Sequence, residues 1–134
     1  MEMFAQPIHS LTGNRVRKYE TLMRMRSAEG ELIEPARFMN AALRYGLIRE
    51  VDIIALRKTL ACLAENADLL GTVDSVAVNM SGVSLAHPGC VATTIDAIKA
   101  SGVRRQSHEA VFRDYRDIRD IQYDPGPALH RCAA

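Results

Sequence analysis

Between Val51 and Gly102 the hydrophobic period of the chain changes from helical to extended and back to helical, and this restricts the fold more than any other feature. Ile53, Leu56, Leu60 and Leu63 recur at intervals of three and four, which predicts a helix from Val51 to about Asn66 with one apolar face. Val73 to Met80 is rich in strand-forming residues. Ser84 to Ala100 returns to helical spacing, with Val91, Ile95 and Ile98 on one stripe and Gly102 at its end. Helix and strand in alternation build a parallel sheet covered by helices. A closed barrel of eight such units takes about 250 residues. The 134 residues of this chain provide for roughly half of one.

Upstream, Phe4 to Ile8 and Arg15 to Met25 read as two strands around the polar turn Thr12-Gly13-Asn14, and so as a β-hairpin. Pro35 then opens a short helix with Phe38, Met39, Ala42 and Leu43 at helical spacing, and Gly46 suits its end. With 48% hydrophobic and 25% charged residues the chain has the composition of a globular protein, not of a disordered or fibrous one. A net charge of +1 gives no broad attraction for nucleic acid or an anionic membrane. The N-terminal residues lack a basic segment followed by an apolar run, and no stretch approaches the ~20 apolar residues of a membrane span. A cytoplasmic protein is expected, with Cys62, Cys90 and Cys132 reduced and structural. The four histidines share no spacing that suggests ligands, and the six methionines read as core filler.

A different character begins after Val103. The last 31 residues hold six of the fourteen arginines and no lysine, repeat Arg-Asp pairs from Arg113 to Asp120, and show no amphipathic period. Residues 104–134 are expected to form a solvated or partly disordered tail distinct from the domain in 1–103.

Several short motifs, taken in order, resemble the opening of the EAL family of bacterial signalling domains. They are Phe4-Ala5-Gln6-Pro7-Ile8, then Tyr19-Glu20-Thr21-Leu22-Met23-Arg24, with Thr21 where the name-giving motif has alanine. Gly30 to Pro35 before Phe38, Tyr45-Gly46-Leu47-Ile48 before Asp52, and Val76-Ala77-Val78-Asn79-Met80-Ser81 follow in the family's order. The resemblance implies an α/β fold, the first half of a (β/α)8 TIM-like barrel. It also implies hydrolysis of cyclic di-GMP by two hard cations, Mg2+ or Mn2+, which polarise the phosphate and activate a water. By resemblance Glu20 and Asn79 match metal-binding positions, and Gln6, Leu22 and Arg24 match positions that meet the dinucleotide. Strand alternation independently puts Glu20, Leu22 and Arg24 on one face, and Ala77, Asn79 and Ser81 on one face. Without the motif order, Glu20 with Arg24 would read as an ordinary ion pair and Asn79 as a turn residue.

The family's next strand, written like FEITE, its DDFG pair, a lysine and later acidic residues have no counterpart in the sequence. A truncated domain is expected, inactive by itself and not holding the cations stably. The alternative is a non-catalytic module that binds a protein partner or a second copy through strand edges left open. The tail has a coding explanation. With suitable synonymous codons, Ala110 to Arg119 read one base later gives Leu-Cys-Phe-Glu-Ile-Thr-Glu-Thr-Ser, with both glutamates falling under Arg113 and Arg116. A frameshift between about Gly102 and Ser107 is therefore expected. Sequencing the gene checks it: the shifted frame should read on into DDFG-like and later acidic motifs, and the idea fails if it does not.

Overall fold

A computed structural model of the chain describes residues 1–9, 18–66, 73–103 and 130–131. The anticipated turn at Thr12 to Asn14, residues 104–129 and Cys132 lie outside the described residues. In chain order the elements are β1 (Glu2–Ile8), β2 (Lys18–Arg26), β3 (Leu32–Ile33), α1 (Pro35–Arg44), α2 (Ile48–Glu65), β4 (Ser75–Val78), α3 (Gly82–Leu85), α4 (Pro88–Ala100) and β5 (His130–Arg131).

β1 and β2 pair antiparallel with Phe4 opposite Leu22 and Gln6 opposite Glu20. β4 joins β2 in parallel, Glu20 opposite Ala77 and Thr21 opposite Val78, after the crossover through α1 and α2. The short β3 pairs with the end of β2, and β5 pairs with β1. Glu2 reaches Arg26 with both carboxylate oxygens, at 2.8 and 3.0 Å, and ties the open end of the β1–β2 pair. An antiparallel opening followed by parallel pairing is the arrangement expected from the hairpin and the strand–helix alternation.

Alternation of side chains decides which sheet face the helices cover. Met3 and Met23, directly opposite each other, pack with Phe38, Met39 and Ala42 of α1 and with Ile48 and Ala55 of α2. Met1, Met25, Ile33 and Val51 close over this cluster, which gathers five of the six methionines. A second cluster joins Val78 of β4 to Leu56 and Leu60 of α2, with Ala97 and Ile98 of α4 packed against it. The helices thus lie on one face of the sheet. The opposite face carries Gln6, Glu20, Leu22, Arg24, Ala77 and Asn79.

α1 begins on Pro35, which loses no helical hydrogen bond at that position, and the chain turns out of it at Gly46, whose φ of 71° is costly for any residue with a Cβ. The expected single helix from Ser84 to Ala100 is two. Pro88 has no N–H to continue α3 and disfavours helical backbone at His87, so α4 starts afresh, with His87 Nδ1 accepting from Cys90 N at 3.3 Å. The restart changes the buried stripe: Cys90 is buried, whereas Ile95, expected inside, is 44% exposed. Leu43 is likewise turned outward, at 40% exposure. Cys62 and Cys90 are buried free thiols. No helix among the described residues is long and apolar enough to cross a membrane.

Candidate functional site

Asn79 follows the last residue of β4, and Glu20 lies mid-strand in β2, one register step from Val78. Parallel pairing at this register puts both side chains on the face opposite the helices. There Asn79 Nδ2 donates to Glu20 Oε1 at 2.6 Å, across 59 residues of sequence. A short bond to an ionised acceptor is among the stronger hydrogen bonds a protein makes, and both residues are half-buried, where solvent competes less. Turning the Asn79 amide by half a revolution would set its Oδ1 beside the Glu20 carboxylate, so the pair can offer two oxygens to a hard cation.

Gln6 stands directly opposite Glu20 across the β1–β2 pairing, on the same sheet face. Leu22 lies on the same face and is half-buried. Arg24 is four residues beyond Glu20, about 13 Å along the strand. It is buried, and its Nη1 donates to the Met23 carbonyl at 2.9 Å. The structure therefore joins Glu20 and Asn79, places Gln6 opposite Glu20 in the register and keeps Arg24 farther along the same strand face.

Residues to which the sequence motifs assigned no role line the helix side of the same strands. Asp52 of α2 is fully buried, and its Oδ2 accepts from Ser81 N at 2.9 Å, Ser81 Oγ at 2.6 Å and Ser84 Oγ at 2.6 Å. Ser81 Oγ in turn accepts from Ser84 N at 3.2 Å and caps α3. Thr59 of α2, 1% exposed, donates to Thr21 Oγ1 at 3.4 Å, and Thr21 Oγ1 donates to the Ala77 carbonyl at 3.1 Å. Polar residues seven apart inside an apolar helix stripe were the available sequence signal for Asp52 and Thr59. A groove of 610 Å3 between α2 and α4, lined by Arg57, Ala61, Thr93 and Asp96 among others, lies on the helix side and so away from Glu20 and Asn79. Among the described residues no group of three or more His, Cys, Asp or Glu comes together that could hold a metal ion.

The EAL domain family matches residues 1–108. The chain is 33% identical over 90 residues to the cyclic di-GMP phosphodiesterase PdeB of Shewanella oneidensis, covering 66% of this chain and 10% of PdeB. It is 32% identical over 83 residues to the cyclic di-GMP phosphodiesterase PdeF of Escherichia coli, 62% of this chain and 11% of PdeF. Among solved structures it superposes on the FimX EAL domain of Pseudomonas aeruginosa bound to c-di-GMP, with a TM-score of 0.69 and 30% identity over 83% of this chain and 43% of that one. The chain belongs to the EAL domain family. Its described elements form part of the family's TIM-like barrel, and it spans about a tenth of the curated relatives' length and under half of the FimX domain.

The Glu20–Asn79 contact makes a direct prediction. Glu20→Gln keeps an acceptor oxygen but removes the charge, and should cost about 1 kcal/mol, the difference between a charge-assisted and a neutral hydrogen bond. Glu20→Ala should cost more. Urea unfolding midpoints check this, and equal midpoints for all three proteins would mean the contact contributes nothing.

Proposed function

We propose that this chain presents part of a cyclic di-GMP-facing barrel mouth in the cytoplasm, and that the 134-residue polypeptide does not hydrolyse the dinucleotide by itself. The observation that carries this reading is the 2.6 Å contact between Asn79 and Glu20 on the face opposite the helices. Bound Mg2+ or Mn2+ would supply phosphate polarisation and a water acidic enough to attack at neutral pH. Glu20 and Asn79 fit that chemistry in kind, since both offer oxygen to a hard cation. They do not fit it in number: one carboxylate and one amide fill two of about six positions around a single ion, and two adjacent ions need shared carboxylates.

For the dinucleotide, Gln6 offers an amide opposite Glu20, Leu22 an apolar contact and Arg24 a positive charge further along the strand. These are a fraction of the convergent contacts by which a pocket encloses a ligand of this size. Weak binding follows. A second reading, a non-catalytic module that takes a protein partner or a second copy of itself, draws on the sheet edge. Among the described residues β4 pairs only with β2, so its other edge offers backbone donors and acceptors to a strand from another chain.

With Mg2+ or Mn2+ the polypeptide should show no hydrolysis of cyclic di-GMP, and calorimetry should give a dissociation constant weaker than micromolar. Turnover that disappears in Glu20→Ala, or tighter binding, would overturn the first reading. Light scattering addresses the second: association beyond the monomer is expected, and a cooperatively folded monomer at high dilution would sink it.

A further inference from the structure

Helix α2 buries two polar side chains in the face it turns toward the sheet, Asp52 at 0% and Thr59 at 1% exposure. Seven residues apart, two helical turns, they stand on the same stripe as the apolar residues around them. As core residues they are expensive. A buried carboxylate costs several kcal/mol unless its oxygens are satisfied. Asp52 Oδ2 accepts three hydrogen bonds, but its buried Oδ1 has no hydrogen-bond partner among the described residues. A helix that needed only to be buried would do as well or better with leucine at position 52 and valine at 59.

What these two groups hold is informative. Thr59 reaches Thr21, the residue after Glu20, and through the Thr21 hydroxyl the carbonyl of Ala77, two residues before Asn79. Asp52 reaches both the backbone N–H and the hydroxyl of Ser81, two residues after Asn79. One helix therefore grips the strand segment of Asn79 on both sides and the neighbour of Glu20. Thr21 alternates away from Glu20 onto the helix side, and Ser81, beyond the end of β4, caps α3 and turns to Asp52 instead of the Asn79 face that strand alternation predicts for it, so the helix acts on the pair through the backbone.

We propose that Asp52 and Thr59 are positioning residues that set the approach of Asn79 to Glu20, Asp52 through Ser81 and Thr59 through Thr21. On this account Thr21, where the family motif has alanine, is a working part of the device, because alanine has no hydroxyl to receive Thr59 or to reach Ala77. The consequence for cation binding rests on the function proposed above, whereas the positioning is a property of the two side chains and stands without it.

The test uses the full chain, isotopically labelled, and follows the side-chain amide resonances of Asn79, identified by their loss in Asn79→Asp. Thr59→Val and Thr21→Ala remove the hydroxyl relay, and Asp52→Asn weakens the grip on Ser81. Each should shift the Asn79 amide resonances and speed their hydrogen exchange roughly fivefold, the scale of one lost hydrogen bond. Thr59→Ser, which restores a hydroxyl, should return the native spectrum. Ile48→Val, a core change on the same helix in the methionine-rich cluster away from β4, should lower stability and leave the Asn79 signals in place. Unmoved Asn79 signals in folded Thr59→Val and Asp52→Asn would overturn the proposal, as would equal movement in Ile48→Val. If Asp52→Asn does not fold, the valine and serine variants at position 59 decide. Adding Mn2+ to the unmutated chain reports separately on the functional reading: no selective broadening of the Asn79 signals is expected at stoichiometric Mn2+, and strong broadening confined to them would refute the reading that Glu20 and Asn79 alone are too few to hold the ion, while leaving the positioning result intact.

Discussion

The parallel register between β2 and β4 is the constraint on which the rest of the structure depends. Glu20 lies opposite Ala77 and Thr21 opposite Val78. Because side chains alternate, a slip of one residue in either strand would exchange the faces: Val78 would leave the helices and Asn79 would enter the core. Burial of Leu56 and Leu60 of α2 against Val78 opposes such a slip, each large apolar side chain contributing about 1.5–3 kcal/mol when fully buried. The core and the site are therefore consequences of one pairing. Forces that pack the helix side also decide which polar groups meet on the other side.

Much of the architecture was legible because it is written in period and punctuation. The apolar spacing around Leu56 and Leu60 identified α2, and Pro35 and Gly46 marked the ends of α1. Counting only apolar residues had a cost, however. It extended one helix across Pro88, set Ile95 inside when it is exposed, and passed over Asp52 and Thr59, which share the buried stripe with leucines. A polar residue in an apolar stripe has no meaning until its partner is known, and the partners Ser81 and Thr21 are 29 and 38 residues away.

The site was legible to a similar depth. Motif order singled out Glu20 and Asn79, and alternation assigned each to a strand face. Their contact could not be read locally, because it spans 59 residues and exists only through the β2–β4 pairing. The burial of Arg24 was equally hidden: an arginine on a strand face reads as a free cation until the surrounding packing is known.

Five of the six methionines meet in the cluster beneath β1 and β2, whereas the cluster beneath β4 is built from leucine, valine, isoleucine and alanine. The two halves of the core therefore differ in chemistry as well as position. Thioethers are flexible and polarizable and fill irregular space well, but peroxide converts them to sulfoxides that are polar and chiral. Met1 and Met25, only partly buried, are the first within an oxidant's reach. Oxidative damage would accordingly loosen the sheet from α1 at the open end of the β1–β2 pair and spare the aliphatic packing that holds β4 against α2, so that the domain would lose order from one side.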